Sequence, residues 1–196
     1  MVLITGFEGF HRYKKNPTER LAIEVSEDLG ARGEILPVSF RRAREKIVKL
    51  LSDEQEAVVM TGLAPRSSVV RVEVVALNLM HSTTPDNDGY APRMERIFED
   101  GPDAYINRSN LPDLVDLLRS KGIPAGLSFH AGTYVCNTVY YSALHLAKCP
   151  AIFVHFPFDS ETIAESSMEE SSLPYDVMYS ALRTAVEWIT RSHRRT

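Results

Sequence analysis

Short apolar runs separated by amphipathic stretches restrict the fold of this chain more than any other feature. Residues 1–5, 34–38, 57–61, 69–78, 123–127 and 151–156 read as strands because they are brief, apolar and bounded by turn formers. Between them the period lengthens to that of a helix. Asn16-Pro17-Thr18 opens one with Leu21, Ala22, Val25 and Leu29 on a single face, residues 41–51 form a strongly basic second, and residues 111–121 a third that Gly122 and Pro124 stop. A fourth carries Val135, Val139, Ala143 and Leu146, and a fifth, over residues 175–192, has an apolar stripe of Val177, Ala181, Ala185, Trp188 and Ile189. Strands alternating with helices predict an α/β fold with a mostly parallel, twisted sheet and helices on both faces. In such sheets, sites gather beyond the carboxyl ends of the strands.

The length of 196 residues is that of one domain, 1–196, with a sizeable core. A net charge of −4 makes no electrostatic case for nucleic acid or an anionic membrane as a partner. Arg191, Arg194 and Arg195 read as a solvated helix end. Two cysteines cannot build a disulfide framework, and neither their spacing nor their neighbours form a metal-binding pattern. No apolar run is long enough to span a bilayer and the N-terminus lacks a signal-peptide pattern, which predicts a cytosolic, cytoplasmic protein with reduced thiols. Residues 160–172, acidic and serine-rich, read as a mobile surface segment.

The chemistry concentrates in residues 128–137, Ser-Phe-His-Ala-Gly-Thr-Tyr-Val-Cys-Asn. After the strand at 123–127, Gly132 and Thr133 supply a turn and a cap, so Cys136 falls in the first turn of a helix. There the unpaired N–H groups and the helix dipole favour thiolate over thiol and can stabilise an oxyanion. The competing reading is a buried structural cysteine. A cysteine nucleophile needs a base, and the base an orienting acceptor. Of the six histidines, His145 is about half a turn out of phase with Cys136 on the helix, and His193 lies in the terminal tail. His11 and His81, in loops, stay open; His130 is a close rival; His155, at a strand end beside Pro157, is best placed. Glu73 sits inside the β-rich run 69–78, facing either solvent or a site, and would be the orienting acceptor. The first strand enters Gly6-Phe7-Glu8-Gly9-Phe10, whose glycine spacing is not that of a phosphate loop. Residues 84–90 are dense with turn formers.

These residues, in this order, resemble the pyrrolidone carboxyl peptidases, the cysteine-type pyroglutamyl peptidases. Thr5-Gly6-Phe7-Glu8-Gly9-Phe10 with Asn16-Pro17 is similar to the family's TGF[DE]PFGG…NP opening. Gly62-Leu63-Ala64 and residues 72–78 resemble its GxA…ERVAxN segment, and Pro85-Asp86-Asn87-Asp88-Gly89 its PDNxG loop. Leu111-Pro112, Gly122-Ile123-Pro124-Ala125 and residues 128–137 resemble LP…GIPA…SxxAGT[YF]xCN, and Val154-His155-Phe156-Pro157 resembles [IV]HxP. The resemblance implies an α/β/α sandwich, assembled as a homo-oligomer (dimer or tetramer). It implies a triad of Cys136 as nucleophile, His155 as base and Glu73 as orienter, which displaces His130. It also implies a flat pocket for the neutral 5-oxoproline ring, lined by Phe7, Phe10, Tyr134 and Val135. The substrates would be peptides with an N-terminal pyroglutamate, and the resemblance implies that no metal or cofactor is needed.

The chain departs from the pattern at several points. Gly9 stands at the family's proline and His11-Arg12 at its two glycines, so the aromatic loop is expected to be more mobile or differently shaped. Val74 and Thr83 stand where the family carries arginines. Losing both is expected to raise the pKa of Glu73 and to weaken transition-state stabilisation, with Arg66 or Arg71 as compensating residues. Two other readings therefore compete. One is a weakened or non-catalytic relative that binds peptide N-termini; the other is a cysteine hydrolase acting on a different amide.

Overall fold

The computed structural model describes residues 1–10, 14–166 and 168–193. Its elements run β1 (Val2–Phe7), α1 (Pro17–Leu29), β2 (Arg32–Leu36), α2 (Phe40–Leu51), β3 (Ala57–Leu63), β4 (Val70–Glu73), β5 (Val75–Leu77) and β6 (Ala104–Ile106). They continue with α3 (Leu111–Ser120), β7 (Ala125–Ser128), α4 (Val135–Leu146), β8 (Ala151–Phe156), β9 (Phe158–Asp159), α5 (Ser160–Ala164), β10 (Ser172–Leu173) and α6 (Tyr175–His193). The main sheet has the order β2-β1-β3-β8-β4-β7. Every neighbouring pair is parallel except β8 and β4, which run antiparallel with Arg71 opposite His155.

Side chains alternate across the pleat, so the sheet feeds two cores. Ile4, Val59, Val72, Ile152 and Val154 join α1, α3 and α6 on one face. Leu3, Val58, Met60 and Phe153 join α2 and α4 on the other. The buried strands β1, β3 and β8 lie between helices on both sides, which explains their near-continuous apolar sequence. The expected α/β class and mostly parallel sheet are both present.

Several boundaries differ from the sequence reading, each for a local reason. The second strand ends at Leu36 because Pro37 has no N–H to donate to a ladder. The run 69–78 is two strands: β4 stays in the main sheet, while β5 leaves it at Val74 and pairs antiparallel with β6, a strand not foreseen. Residues 160–172 are not simply a surface segment. Asp159 caps α5 through the Thr162 N–H (2.8 Å), and Ser172–Leu173 pairs with β9. Finally, α4 has Tyr134 at its N-cap, without a side-chain cap; Thr133 instead donates to the His81 carbonyl (2.7 Å). Gly132 makes the turn before it at φ 86°.

Candidate active site

Strand alternation decides which polar residues can meet. On β8, Ala151, Phe153 and His155 share the face toward α4, and on β4 Arg71 and Glu73 do the same while Val70 and Val72 enter the opposite core. Because β4 runs against β8, Glu73 lies deep in the sheet rather than at its rim and is fully buried. Its Oε1 lies 2.8 Å from His155 Nδ1. From the neighbouring strand, Ser128 stands opposite Glu73 in register. Tyr140, on α4, donates its hydroxyl to the Glu73 carbonyl (2.8 Å).

Cys136 reaches this group from the other side, in the first turn of α4, and is partly exposed. Asn137 locks that turn in place. Its Oδ1 accepts from Leu77 N (2.9 Å), and its Nδ2 donates to the carbonyls of Leu77 (2.9 Å) and Leu79 (3.0 Å). Gly62, read from sequence as the end of a strand, lies within β3 beside His155. A Cβ there would stand 2.8 Å from Cys136 Sγ, 2.9 Å from Phe153 Cζ and 3.1 Å from His155 Cδ2. The sulfur and the imidazole edge remote from Glu73 therefore converge over this one backbone carbon, and only glycine leaves room for both.

A cavity of about 600 Å³ opens above them. Phe7, Phe10, Tyr134 and Val135 wall it, and Arg71 and His130 lie at its polar side. Phe7 and Val135 are buried; Phe10 and Tyr134 stand 6.3 Å apart, and Phe40 packs edge-on against Tyr134 (5.1 Å). The loop bearing Phe10 is held despite Gly9. Asn87 donates to Glu8 Oε1 and to the Gly9 carbonyl, both at 3.1 Å, and Glu8 Oε1 also accepts from Val38 N. The substitutions at His11 and Arg12 lie outside the described residues, as do Arg194 and Arg195.

The other described histidines have different partners. His145 pairs with the Tyr105 hydroxyl (2.8 Å) in an aromatic cluster at the far end of α4. His130 accepts the Gly132 N–H on its Nδ1 (2.9 Å). His81 offers its carbonyl to Thr133. His11 is outside the described residues, and the His193 side chain is among those not described.

The electrostatics bear on two expectations. Burial alone would raise the Glu73 carboxyl, but the hydrogen bond and charge of His155, then Ser128, then Arg71 outweigh it and hold it below the usual carboxylate range. Where the family arginines are absent, Arg71 stands 3.3 Å from Glu73 Oε1 and adds to this lowering. The helix end favours a thiolate, as expected, but is outweighed. Burial first, then the Glu73 charge, push the Cys136 thiol up to about 12 against the opposing hydrogen bond from its own N–H. Ionising it requires a partner that takes the proton and becomes a cation. Tyr134 is likewise pushed up to about 12 and stays a neutral wall.

A buried carboxylate, an imidazole and a thiol in this order, beside a helix N-terminus, define the class of cysteine hydrolases that work by nucleophilic acyl transfer. Comparison with known proteins is more specific. A profile described as pyroglutamyl peptidase matches residues 1–192. The pyrrolidone-carboxylate peptidase of Thermococcus litoralis is 40% identical over 172 residues, covering 83% of this chain and 78% of that one. That of Pyrococcus furiosus is 33% identical over 199 residues, covering 95% and 96%. The solved structure of the pyrrolidone carboxyl peptidase from T. litoralis superposes with a TM-score of 0.93 at 35% identity, over 99% of this chain and 94% of that chain. The one from Fervidobacterium islandicum gives 0.90 at 33%, over 97% and 98%. The chain belongs to the pyroglutamyl peptidase family.

Sequence reasoning weighed Arg71 only as one of two compensating residues and gave no role to Gly62 or Ser128. The signal for Arg71 was present: two residues before Glu73 on a strand, it must share the glutamate's face.

Proposed function

We propose that this chain acts as a cysteine peptidase that removes an N-terminal 5-oxoproline residue from peptides, with Cys136, His155 and Glu73 as its triad. The observation that carries this is the buried Glu73–His155 pair at 2.8 Å, set against Cys136 across Gly62. In this reading the Cys136 thiol gives its proton to His155 Nε2 as the sulfur attacks the carbonyl carbon joining the 5-oxoproline ring to the next residue. Glu73 accepts a hydrogen bond from His155 Nδ1–H and stabilises the imidazolium without taking its proton. The first-turn N–H groups of α4, which no side chain at the N-cap engages, face the developing oxyanion. The imidazolium then protonates the departing amine, leaving a thioester on Cys136. Neutral His155 next takes a proton from water, which attacks the thioester and releases free 5-oxoproline. The ring is flat and uncharged, and Phe7, Phe10, Tyr134 and Val135 offer it an apolar slot.

Hydrolysis of a chromogenic 5-oxoprolyl amide tests this, beside Cys136→Ala and an iodoacetamide-treated sample. Release that disappears in both controls supports the reading. Absence of release with rapid alkylation points to another amide as substrate, and absence of both to a relative that binds without catalysis. Two finer assignments go with the reading. One is a cytoplasmic location, supported by the free thiols of Cys136 and Cys149 and by the absence, among the described residues, of any helix able to cross a membrane. The other is a homo-oligomer, dimer or tetramer, which light scattering on the purified protein checks.

A further inference from the structure

Arg71 faces the site with one nitrogen shared among three acceptors. Its Nη2 lies 3.3 Å from Glu73 Oε1, donates to Ser128 Oγ, and donates to the His130 carbonyl at 3.0 Å. The strand pairing enforces this. Arg71 is opposite His155 across the antiparallel β4–β8 junction, and Glu73 is opposite Ser128 on β7, so all four side chains fall on the α4 face. Neither residue at the family's arginine positions can do the same. Val74 carries no charge and packs against the opposite core, and Thr83 is exposed in a loop.

We propose that Arg71 is the positioning residue of this site, bracing Glu73 and Ser128 and supplying from within β4 the fixed positive charge that the family's motif carries at positions 74 and 83. The proposal rests on the peptidase reading for its activity measurements only. Arg71 acts through other groups: it holds Glu73 ionised and oriented, Glu73 holds His155, and His155 serves Cys136. The contact with the His130 carbonyl adds a second function. It ties the segment between β7 and α4 to β4, and so fixes the approach of the helix that carries Cys136. The groups facing Glu73 are Arg71 on its own strand, Ser128 from β7, His155 from β8, and Cys136 and Tyr140 from α4. Arg71 is the one permanent cation among them. Without it, one of the groups that offset burial is lost, and the Glu73 carboxyl moves upward from its present value. The carboxylate would then be lost at higher pH, and the imidazole would give up its anionic partner.

The test compares wild type with Arg71→Ala, Arg71→Lys and, as a control outside the site, Arg66→Ala. Three quantities are read: kcat and KM on the 5-oxoprolyl amide, the pH profile of Cys136 alkylation by iodoacetamide, and the melting temperature. Arg71→Ala is expected to lower kcat about 10²-fold with little change in KM, a loss of the size seen when a fixed electrostatic contact is removed from a site. Its acidic activity limb and its alkylation profile both move to higher pH. Arg71→Lys retains part of the activity, and guanidinium ion at sub-denaturing concentration restores part of it to Arg71→Ala. Unchanged kcat and an unmoved alkylation profile in Arg71→Ala would overturn the proposal. So would a change confined to KM, which would make Arg71 a substrate contact, or a lowered melting temperature with no rescue by guanidinium, which would make it merely structural. If wild type fails to cleave the amide while Arg71→Ala still moves the alkylation profile, the substrate reading falls and the role of Arg71 stands.

Discussion

Along β8, Ile152, Val154 and Phe156 enter the core shared with α1, α3 and α6, while Ala151, Phe153 and His155 face α4. The same strand thus serves two purposes by alternation alone. On the first face the strand ends stay apolar, closing against Leu182, Val186 and Ile189 of α6. On the second, apolar packing gives way to His155, Glu73, Arg71 and Ser128. A sheet covered on both faces can place a charged network at the end of one of them because the other supplies uninterrupted burial. Stability and chemistry are separated by one residue of register, and a slip of one position would exchange them.

That separation can be tested from both sides. Cys136→Ala removes the attacking atom and is expected to lower kcat/KM by about 10⁴-fold or more while leaving the melting temperature close to wild type. Glu73→Gln keeps the shape but removes the charge that supports imidazolium, and should cost roughly 10²- to 10⁴-fold in kcat. On the opposite face Ile152→Ala, at a fully buried site, should reverse the pattern. Denaturant unfolding should show a loss of about 2–5 kcal/mol, with kcat/KM per folded molecule unchanged. A comparable loss of activity in that variant would mean that the two faces are coupled rather than separate.

Gly62→Ala sharpens the comparison, since it adds a methyl group where sulfur, imidazole and Phe153 meet. It should destabilise by about 1–3 kcal/mol through overpacking and reduce kcat by displacing Cys136 or His155, seen as slower turnover at saturating substrate. The smallest effect concerns the rim. Asp88 is held at about 2 by hydrogen bonds from Arg42 and then Ser39, which tie its loop to α2. Its folded value lies below the ordinary carboxylate value of about 3.9, so the contribution of this pair is complete above about pH 4 and is lost as the pH falls toward 2. Asp88→Asn should slightly flatten the acid-unfolding curve in that window and slightly lower stability at pH 7, where the pair contributes in full.

Much of this was legible in the order of residues. Apolar runs bounded by turn formers located β1, β3 and β8, because strands buried on both faces have little choice of composition. The placement of Cys136 in a first helical turn followed from Gly132 and the period of Val135, Val139 and Ala143. Asn16 before Pro17 marked the start of α1, where its side chain accepts from Thr18 N (3.1 Å). These are local properties, set by spacing, turn chemistry and burial within a few residues, and the sequence by itself determined them.

The tertiary structure decided the rest. The break at Val74 depends on pairing with a strand some thirty residues away in the chain, between Leu77 and Ala104 at its near end, so a continuous β-rich run could not reveal it. Whether Glu73 met solvent or His155 depended on β4 lying antiparallel to β8, a choice absent from the alternation of either strand. Gly62 had the sequence signal of a strand end and serves as the floor beneath Cys136 and His155. The direction of the Glu73 shift turned on His155 first, then Ser128 and Arg71, set against burial, and these groups reach it from three strands. Charge and register act across the sheet at distances of a few ångströms, and only the folded chain brings those residues together.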